Sequence, residues 1–295
     1  MPALHCLLTL ASLPLLSTKP AAILHQPHAL LAPATMAIRF RELIPRVLIA
    51  PPAPLPAPLA MREDAHYKVS YGVIGGIGQL HLTIENERTD GKSRLVTVTG
   101  RGEGSVLGLG RSEKRVNGEF DAATLLSRRW TMARTSGDLV IDSIDQPSAG
   151  TLNMIRQRPN VAPAPLQASF TLPALDPVGL IMRLRVAPPS VDHPVQVLML
   201  DGQALYRVTL TAAGRQTVPD MEQPTTGLRV DGRADPIFYN GSDATSDRPR
   251  RTFTLWLSDD DARIPLRLTM PIGPGDVVVA LVEATRTPRS NTHGR

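Results

Sequence analysis

Cysteine is almost absent from this 295-residue sequence: the single cysteine is Cys6, near the amino terminus. The rest of the chain can therefore form neither a disulfide nor a thiolate metal site. Aromatic residues are also scarce, at 4% of the chain. Acidic residues are nearly missing from residues 1–60, where only Glu42 occurs. That segment therefore differs in composition from the remainder of the chain.

Motifs that mark enzymes and metal sites are missing as well. Histidine occurs only at His66, His81 and His193 between residues 61 and 285, and no H-x-x-x-H or H-E-x-x-H pattern is present. The sequence therefore predicts no zinc site, no other metal site and no cofactor. No G-x-S-x-G nucleophile elbow occurs either. His81 falls on the polar face of a predicted strand, where a solvated side chain is expected.

Long apolar runs are also lacking. No uninterrupted apolar stretch reaches the roughly 20 residues that a membrane-spanning helix needs, so no transmembrane span is expected.

The positive charge is confined to the two ends of the chain. Residues 1–60 carry four basic side chains against one acid, a net charge of 4 − 1 = +3, and residues 286–295 add three arginines. Residues 61–285 carry 25 basic and 26 acidic residues, a net of −1. A nucleic-acid surface needs clustered Lys and Arg on the folded domain. The pI near 9.8 therefore does not indicate nucleic-acid binding.

Residues 1–60 have the composition of a leader and contain 11 of the 28 prolines. From Met36 onward, Arg39, Arg41 and Arg46 precede a short apolar run and a Pro/Ala/Leu stretch that ends at Ala60. Basic residues before an apolar run are typical of a signal peptide. We expect export, with Met36 as the start of the signal peptide; a Pro-rich disordered arm is the alternative.

Turn signals and alternating patterns predict one antiparallel β domain over residues 61–285, followed by a disordered basic tail over 286–295. Leu80, Leu82 and Ile84 alternate with polar residues, as half-buried strands require. Asx-Gly pairs favour type I′ hairpin turns. Five such pairs occur: Asp90-Gly91, Asn117-Gly118, Asp201-Gly202, Asp231-Gly232 and Asn240-Gly241.

One helix is predicted. Asp176 supplies a capping carboxylate before Pro177, residues 178–184 are mostly apolar, and prolines at 188 and 189 follow.

Of three polar or glycine-rich stretches that are possible sites, two leave two interpretations each. Asp259, Asp260 and Asp261 suit a solvated turn, or ligands of a hard cation. Residues 100–110 are rich in glycine but fit neither phosphate-binding motif, so a flexible strand connection is favoured over an anion site. Residues 75–78 are expected to form the turn between the first two strands.

Three segments resemble a family of exported bacterial proteins known as the domain of unknown function 3108. They are residues 67–72 (Tyr-Lys-Val-Ser-Tyr-Gly), the helix at residues 175–185, and residues 253–266. The last has an apolar-Trp-apolar strand, an acidic turn, and an Arg-Ile-Pro that leads into the next strand.

The resemblance implies a mainly β fold: a strongly curved antiparallel sheet or half-open β-barrel, with one principal helix packed inside or against it. It also implies a periplasmic or outer-envelope location in a Gram-negative bacterium, and a shape similar to the lipoprotein-carrier folds of the envelope. It implies no activity and no catalytic residue.

A curved sheet with one apolar face must cover that face with a helix or with a ligand. The leading hypothesis is a non-enzymatic envelope protein that binds a lipid or other apolar ligand in the concavity, lined by Trp256, Tyr206, Met182 and Ile181. An ordinary core sealed by the helix is the equal alternative. The second hypothesis is a structural or interaction module that docks an envelope partner through sheet edges or residues 241–251. The third is a hydrolase of envelope polymers, which would place Asp259, Asp260 or His193 in a cleft.

Overall fold

The computed structural model describes residues 61–90, 93–106, 110–122, 124–136, 138–148, 151–169, 174–201, 204–239, 242–243 and 250–288. The predicted leader, most of the 241–251 segment and the end of the predicted tail lie outside these residues.

The described chain forms sixteen strands and one α-helix. The helix α1 spans Pro177–Val186, and a short 3-10 turn spans Gly72–Ile74. The strands are β1 (Met61–Tyr71), β2 (Gly75–Asp90), β3 (Ser93–Val106), β4 (Gly110–Asp121), β5 (Ser127–Ser136), β6 (Asp138–Ser148), β7 (Thr151–Arg158), β8 (Val161–Ser169), β9 (Ala174–Leu175), β10 (Val195–Asp201), β11 (Ala204–Thr217), β12 (Thr226–Tyr239), β13 (Ser242–Asp243), β14 (Arg251–Ser258), β15 (Pro265–Ile272) and β16 (Gly275–Pro288).

All the strands belong to one large, curved, open sheet. The order is β8-β7-β6-β5-β4-β3-β2-β1-β16-β15-β14-β12-β11-β10-β9, with β13 paired to β12. Neighbours are antiparallel except for the short β9–β10 pair. The first and last strands lie side by side in the middle of the sheet. The mainly β fold and curved antiparallel sheet expected from the sequence are confirmed.

The sheet curves far enough for its two ends to overlap. On β10, Val197 and Met199 join the main core, whereas Leu198 and Leu200 on the opposite face belong to a second apolar cluster. That cluster contains side chains from β4 to β7, including Trp130. Since both faces of β10 are buried, the β9–β10 end of the sheet is covered by the β4–β7 region.

Helix α1 lies against the concave face, as the resemblance implied. Its side chains Leu180, Ile181 and Leu184 belong to the same core cluster as residues from both halves of the sheet. Asp176 caps the helix by accepting hydrogen bonds from the backbone N–H groups of Val178 (2.7 Å) and Gly179 (2.9 Å). The predicted cap and first-turn proline are confirmed.

A buried ion pair fixes the other end of the helix. Arg185 donates two hydrogen bonds to the carboxylate of Glu63 on β1, at 3.0 and 2.6 Å, and a third to the Ala262 carbonyl at 3.0 Å. Arg263 in turn donates to the carbonyl oxygens of Arg185 and Val186 at the helix end. These contacts tie α1 to β1 and to the β14–β15 turn.

Two of the five predicted hairpin turns are wrong. The strands that flank three of the pairs (β2–β3, β10–β11 and β12–β13) form hairpins, but Asn117-Gly118 lies inside β4 and Asp231-Gly232 inside β12. A Cβ at residue 232 would lie 2.1 Å from the ring of Phe253 on the neighbouring strand. Glycine is required there by packing against an aromatic ring, and not by a turn.

Two predicted boundaries also shift. Residues 75–78 do not form the first turn; they begin β2, and the turn is the 3-10 segment before them. At the other end, β16 continues to Pro288, three residues beyond the predicted end of the domain at 285.

Candidate functional site

Three of the four predicted ligand-lining residues lie together in the concavity. Tyr206, Ile181 and Met182 are members of the main core cluster, with exposed fractions of 1%, 3% and 2%. They contact the protein's own core, because α1 occupies the space that the sheet surrounds. An apolar ligand at these positions would have to displace part of the helix.

Trp256 lies elsewhere. It alternates with Leu255 and Leu257, which face the main core, and packs with Val218 and Leu266 in a small separate cluster. The guanidinium of Arg229 lies 5.9 Å from the centre of its ring, within cation–π range. The sequence predicted that Trp256 lines the concavity with the other three residues, but the structure does not bring it together with them.

Among the described residues of the main core cluster, one side-chain hydroxyl has no hydrogen-bond partner. The hydroxyl of Tyr67 is buried and makes no hydrogen bond, although its side chain lies close enough to Glu63 and Arg185 for their charges to affect it. Burial, followed by the negative charge of Glu63, raises the pKa of Tyr67, whereas Arg185 acts to lower it. A buried hydroxyl without a partner costs about 1–3 kcal/mol. The Tyr67 hydroxyl is therefore an unused hydrogen-bonding group of the main core.

A polar cleft opens on the opposite face of the same strands. It has a volume of about 540 Å³ and lies over β1, β2, β3 and β16. The polar side chains that line it include His66, Lys68, Gln79, His81, Glu103 and Glu283. We refer to it as the outer cleft.

Two histidines meet at the outer cleft. The rings of His66 and His81 are stacked, with centroids 4.1 Å apart and planes inclined by 15°. The Nε2 atom of His81 lies 2.6 Å from Oδ1 of Asp64, and that of His66 lies 3.3 Å from the same oxygen. The hydroxyl of Thr83 donates to the other carboxylate oxygen of Asp64 at 3.3 Å. One carboxylate and two imidazoles thus converge on a single point.

Electrostatics follow from this geometry. Partial burial acts to raise the pKa of Asp64, but the hydrogen bond and charge of His81, with smaller contributions from Thr83 and His66, outweigh it and lower the pKa. The carboxylate is therefore ionised at neutral pH.

Sequence reasoning missed this cluster, because the H-x-x-x-H and H-E-x-x-H patterns have helical spacing and these ligands lie on strands. In a strand, residues two apart share a face, so Asp64 and His66 project on the same side. The β1–β2 register then pairs His66 with His81 and Asp64 with Thr83. The available signal was an Asp-x-His pattern on one strand and a histidine on the strand that pairs with it. Using this signal requires the register of the two strands, and the register could not be predicted because the first turn was predicted at residues 75–78 instead of 72–74.

The residues named for a hydrolase are engaged in local contacts. Asp260 accepts hydrogen bonds from the Ser258 hydroxyl and from the backbone N–H groups of Ala262 and Arg263, and Asp259 pairs with Arg215. His193 lies in an exposed loop beside Ser190, with 3.0 Å between Nδ1 and Oγ. The acidic run is therefore a turn that organises its own backbone.

Comparison with known proteins gives a family and a fold. The family described as a protein of unknown function, DUF3108, matches residues 66–282. No curated protein matches the sequence.

Three solved structures align with most of this chain at low sequence identity. A β-barrel-like protein of the domain of unknown function DUF1849 from Brucella abortus is 12% identical, with a TM-score of 0.50 over 77% of this chain and 98% of that one. A protein with a YmcC-like fold from Bacteroides fragilis is 9% identical, with a TM-score of 0.33 over 76% and 95% of the two chains. LprF from Mycobacterium bovis is 14% identical, with a TM-score of 0.27 over 79% and 91%. The first comparison supports the β-barrel-like fold.

Across the described residues, no helix combines the length and the apolar character needed to cross a membrane.

Proposed function

This chain belongs to the DUF3108 family of proteins of unknown function, and we propose that it is a non-enzymatic, exported module of the cell envelope that acts by docking a partner. Export is inferred from the basic, then apolar, then small-residue pattern after Met36. Docking is inferred because helix α1 fills the concavity of the sheet and leaves the outer surface for function.

The observation that carries the proposal is that α1 occupies the concavity and is fixed at both ends. Asp176 holds the start of the helix, and the Arg185–Glu63 pair holds its end. Both members of that pair are 2% exposed. Separating a buried pair leaves an uncompensated charge, which costs about 3–5 kcal/mol. A core sealed in this way favours function on the outside of the sheet.

The sheet edges are poor docking sites. The β9–β10 end is covered by the β4–β7 region. The other end is β8, which contains Pro163 and Pro165. Proline has no backbone N–H, and prolines on an edge strand hinder the addition of another strand. A partner therefore docks on the outer polar face of the sheet or on the 241–251 segment.

The test is crosslinking in the envelope. A photo-crosslinking amino acid replaces Arg115, which is exposed on β4, in the full chain expressed with its leader, and Val191 in the loop after α1 serves as the control position. We expect one crosslinked partner of defined mass from position 115 and none from 191. Equal capture from both positions, or none from either, would contradict docking on the outer face.

A second candidate function is favoured by the unpartnered Tyr67 hydroxyl. An apolar chain with a polar end could enter the concavity if α1 moved, and its polar atom would satisfy that hydroxyl. On this hypothesis, native mass spectrometry of protein purified from the periplasm shows a bound lipid, and Tyr67→Phe loses most of it. Protein that carries no lipid in either form would exclude this function and leave the docking proposal in place.

Export has its own test. We expect the periplasmic fraction to contain a protein whose amino terminus lies near residue 61, as measured by intact mass. A full-length protein retained in the cytoplasm would contradict the signal-peptide interpretation without affecting the fold.

A further inference from the structure

At the outer cleft, two lining histidines and the neighbouring Asp64 form a set of side chains that neither the family nor the proposed function explains. Asp64, His66 and His81 each present one ligand atom, and these three atoms all lie within 4.8 Å of one another. From this geometry we propose that the three residues bind a divalent transition-metal ion of the zinc class at the surface of β1 and β2.

The chemistry of the three donors suits such an ion. Imidazole nitrogen is a preferred ligand of Zn²⁺, Cu²⁺ and Ni²⁺, and a carboxylate oxygen completes common three-ligand sites. Mg²⁺ and Ca²⁺ prefer sets made only of oxygen, so two histidines among three ligands disfavour both. The ionised Asp64 supplies the negative charge that a divalent cation needs.

The distances suit it as well. A tetrahedral ion with bonds of about 2.0–2.1 Å separates its ligand atoms by about 3.3 Å. The distance from Asp64 Oδ1 to His66 Nε2 is 3.3 Å, and that to His81 Nε2 is 2.6 Å. Of these two distances, the second must lengthen when a metal binds. The two imidazole ligand atoms lie within 4.8 Å of each other. Both histidines are over 40% exposed, so their rings are able to turn at low cost.

Backbone structure holds the three ligands in place. Because His66 and His81 are directly paired across an antiparallel ladder, both imidazoles are carried by the most central part of the sheet. Thr83 orients the Asp64 carboxylate through its second oxygen. Ligands on adjacent strands, supported by an outer hydrogen bond, are features of a pre-organised site.

The neighbouring charges are mixed: Lys68 also lines the outer cleft, but two acidic residues lie there as well, Glu103 and Glu283. Arg101, which is paired with His81 in the ladder, is directed to Glu113 at 3.1 Å and also lies 3.9 Å from Glu103. On the other side, Glu283 is paired with His66 and lines the same cleft. The metal would keep at least one coordination position open to the outer cleft, available to water or to an acidic group of a partner.

The test is titration of the metal-free full chain with Zn²⁺, followed by isothermal calorimetry, with Co²⁺ absorption as a second probe of tetrahedral coordination. The variants are His66→Gln, His81→Gln and Asp64→Asn. His193→Gln is the matched control, since His193 is also an exposed histidine but lies in a distant loop.

We expect the wild type and His193→Gln to bind one Zn²⁺ in the outer cleft with the same affinity. Each ligand variant should weaken that binding at least about tenfold, because one of three protein ligands is lost. Zn²⁺ should raise the Tm of the wild type, since a ligand of the native state stabilises it, and should not raise that of the His66→Gln/His81→Gln double variant.

The double variant His66→Gln/His81→Gln is needed as a control because Cys6 and three histidines in residues 1–60 can also bind Zn²⁺. Binding that is unchanged in the double variant therefore belongs to the leader and overturns the proposal. So does a wild type whose Tm does not respond to saturating Zn²⁺ while circular dichroism shows the native fold.

Discussion

At the scale of single residues, the buried contact between Arg185 and Glu63 controls the position of the helix. Arg185→Leu would leave Glu63 buried beside Arg286 alone, whose Nε lies 3.6 Å away. We expect a loss of about 3–5 kcal/mol in the free energy of unfolding, measured in urea.

The double variant Arg185→Leu/Glu63→Leu removes both charges and should recover much of that loss, because buried pairs are often replaceable by apolar residues. If the double variant has a lower free energy of unfolding than Arg185→Leu, the two charges do not act as a coupled pair.

Gly232 is a second residue whose role is steric. Gly232→Ala places a Cβ where the Phe253 ring now lies, so the ring must move, and overpacking of this kind costs about 1–3 kcal/mol. Gly76→Ala is the control, because the nearest atom to its Cβ is the flexible end of Lys68 at 3.4 Å. Gly232→Ala should lower the Tm and Gly76→Ala should leave it nearly unchanged; equal effects would refute the steric explanation.

The residue scale also shows where sequence reasoning stops. Leu80, Leu82 and Ile84 were predicted to share a buried face and do, because alternation is a local property. Gly118 and Gly232 were assigned to turns by their preceding Asn and Asp. Their actual partners, the rings of Phe120, Trp130 and Phe253, lie on the same or a neighbouring strand and depend on pairing that the local pattern does not specify.

At the scale of elements, the β14–β15 turn has a pH dependence with a defined sign. Burial acts to raise the pKa of Asp260, but hydrogen bonds from Ser258, Arg263 and Ala262, with a smaller effect of Arg286, outweigh it and lower the pKa below its usual value of 3.8. A carboxyl whose pKa falls on folding stabilises the native state above its unfolded pKa, and the stabilisation is lost as pH falls through the folded pKa.

Asp260→Asn should therefore be less stable than the wild type at neutral pH, and the difference in Tm should shrink as the pH falls from about 5 to below 3. Asp261→Asn is the control, since Asp261 has no comparable role in the turn. A Tm difference that does not change with pH would contradict the assignment.

Elements with strong local signals were predicted well. The helix was located from Asp176 and Pro177 because capping is decided within one turn. The ligand cluster at Asp64, His66 and His81 was missed because it requires the register of two strands, and register is set by a turn that the sequence placed three residues too late.

At the scale of the whole molecule, the overlap of the sheet makes its two ends interdependent. Leu200 on β10 packs in one cluster with Trp130 on β5 and Met154 on β7, although these strands are distant in the sheet order. Leu200→Ala should cost about 2–5 kcal/mol. Hydrogen exchange should show lost protection in β5–β7 as well as in β10.

Val282→Ala is the control. Val282 is 67% exposed, so its truncation should change neither the free energy of unfolding nor the hydrogen-exchange protection. Protection lost in β10 and β11 alone would mean that the two ends of the sheet do not support one another.

The curvature and this overlap were beyond the reach of residue patterns. The continuous apolar run on β10 is a local sign of the overlap, since strands that are buried on both faces lack the alternation of apolar and polar residues. The family resemblance supplied the curvature, and only the assembled fold shows which strands cover which.

The pairing of β1 with β16 has a consequence for how the molecule is made. Val69 on β1 pairs with Val279 on β16, 210 residues later in the chain. One side of β1 therefore stays unpaired until the end of the chain has been synthesised, although β1 lies in the centre of the final sheet. Contacts so far apart in sequence form slowly, and exposed edges invite pairing with other chains. Loss of the final strand should therefore leave an aggregating product and not a shorter folded one.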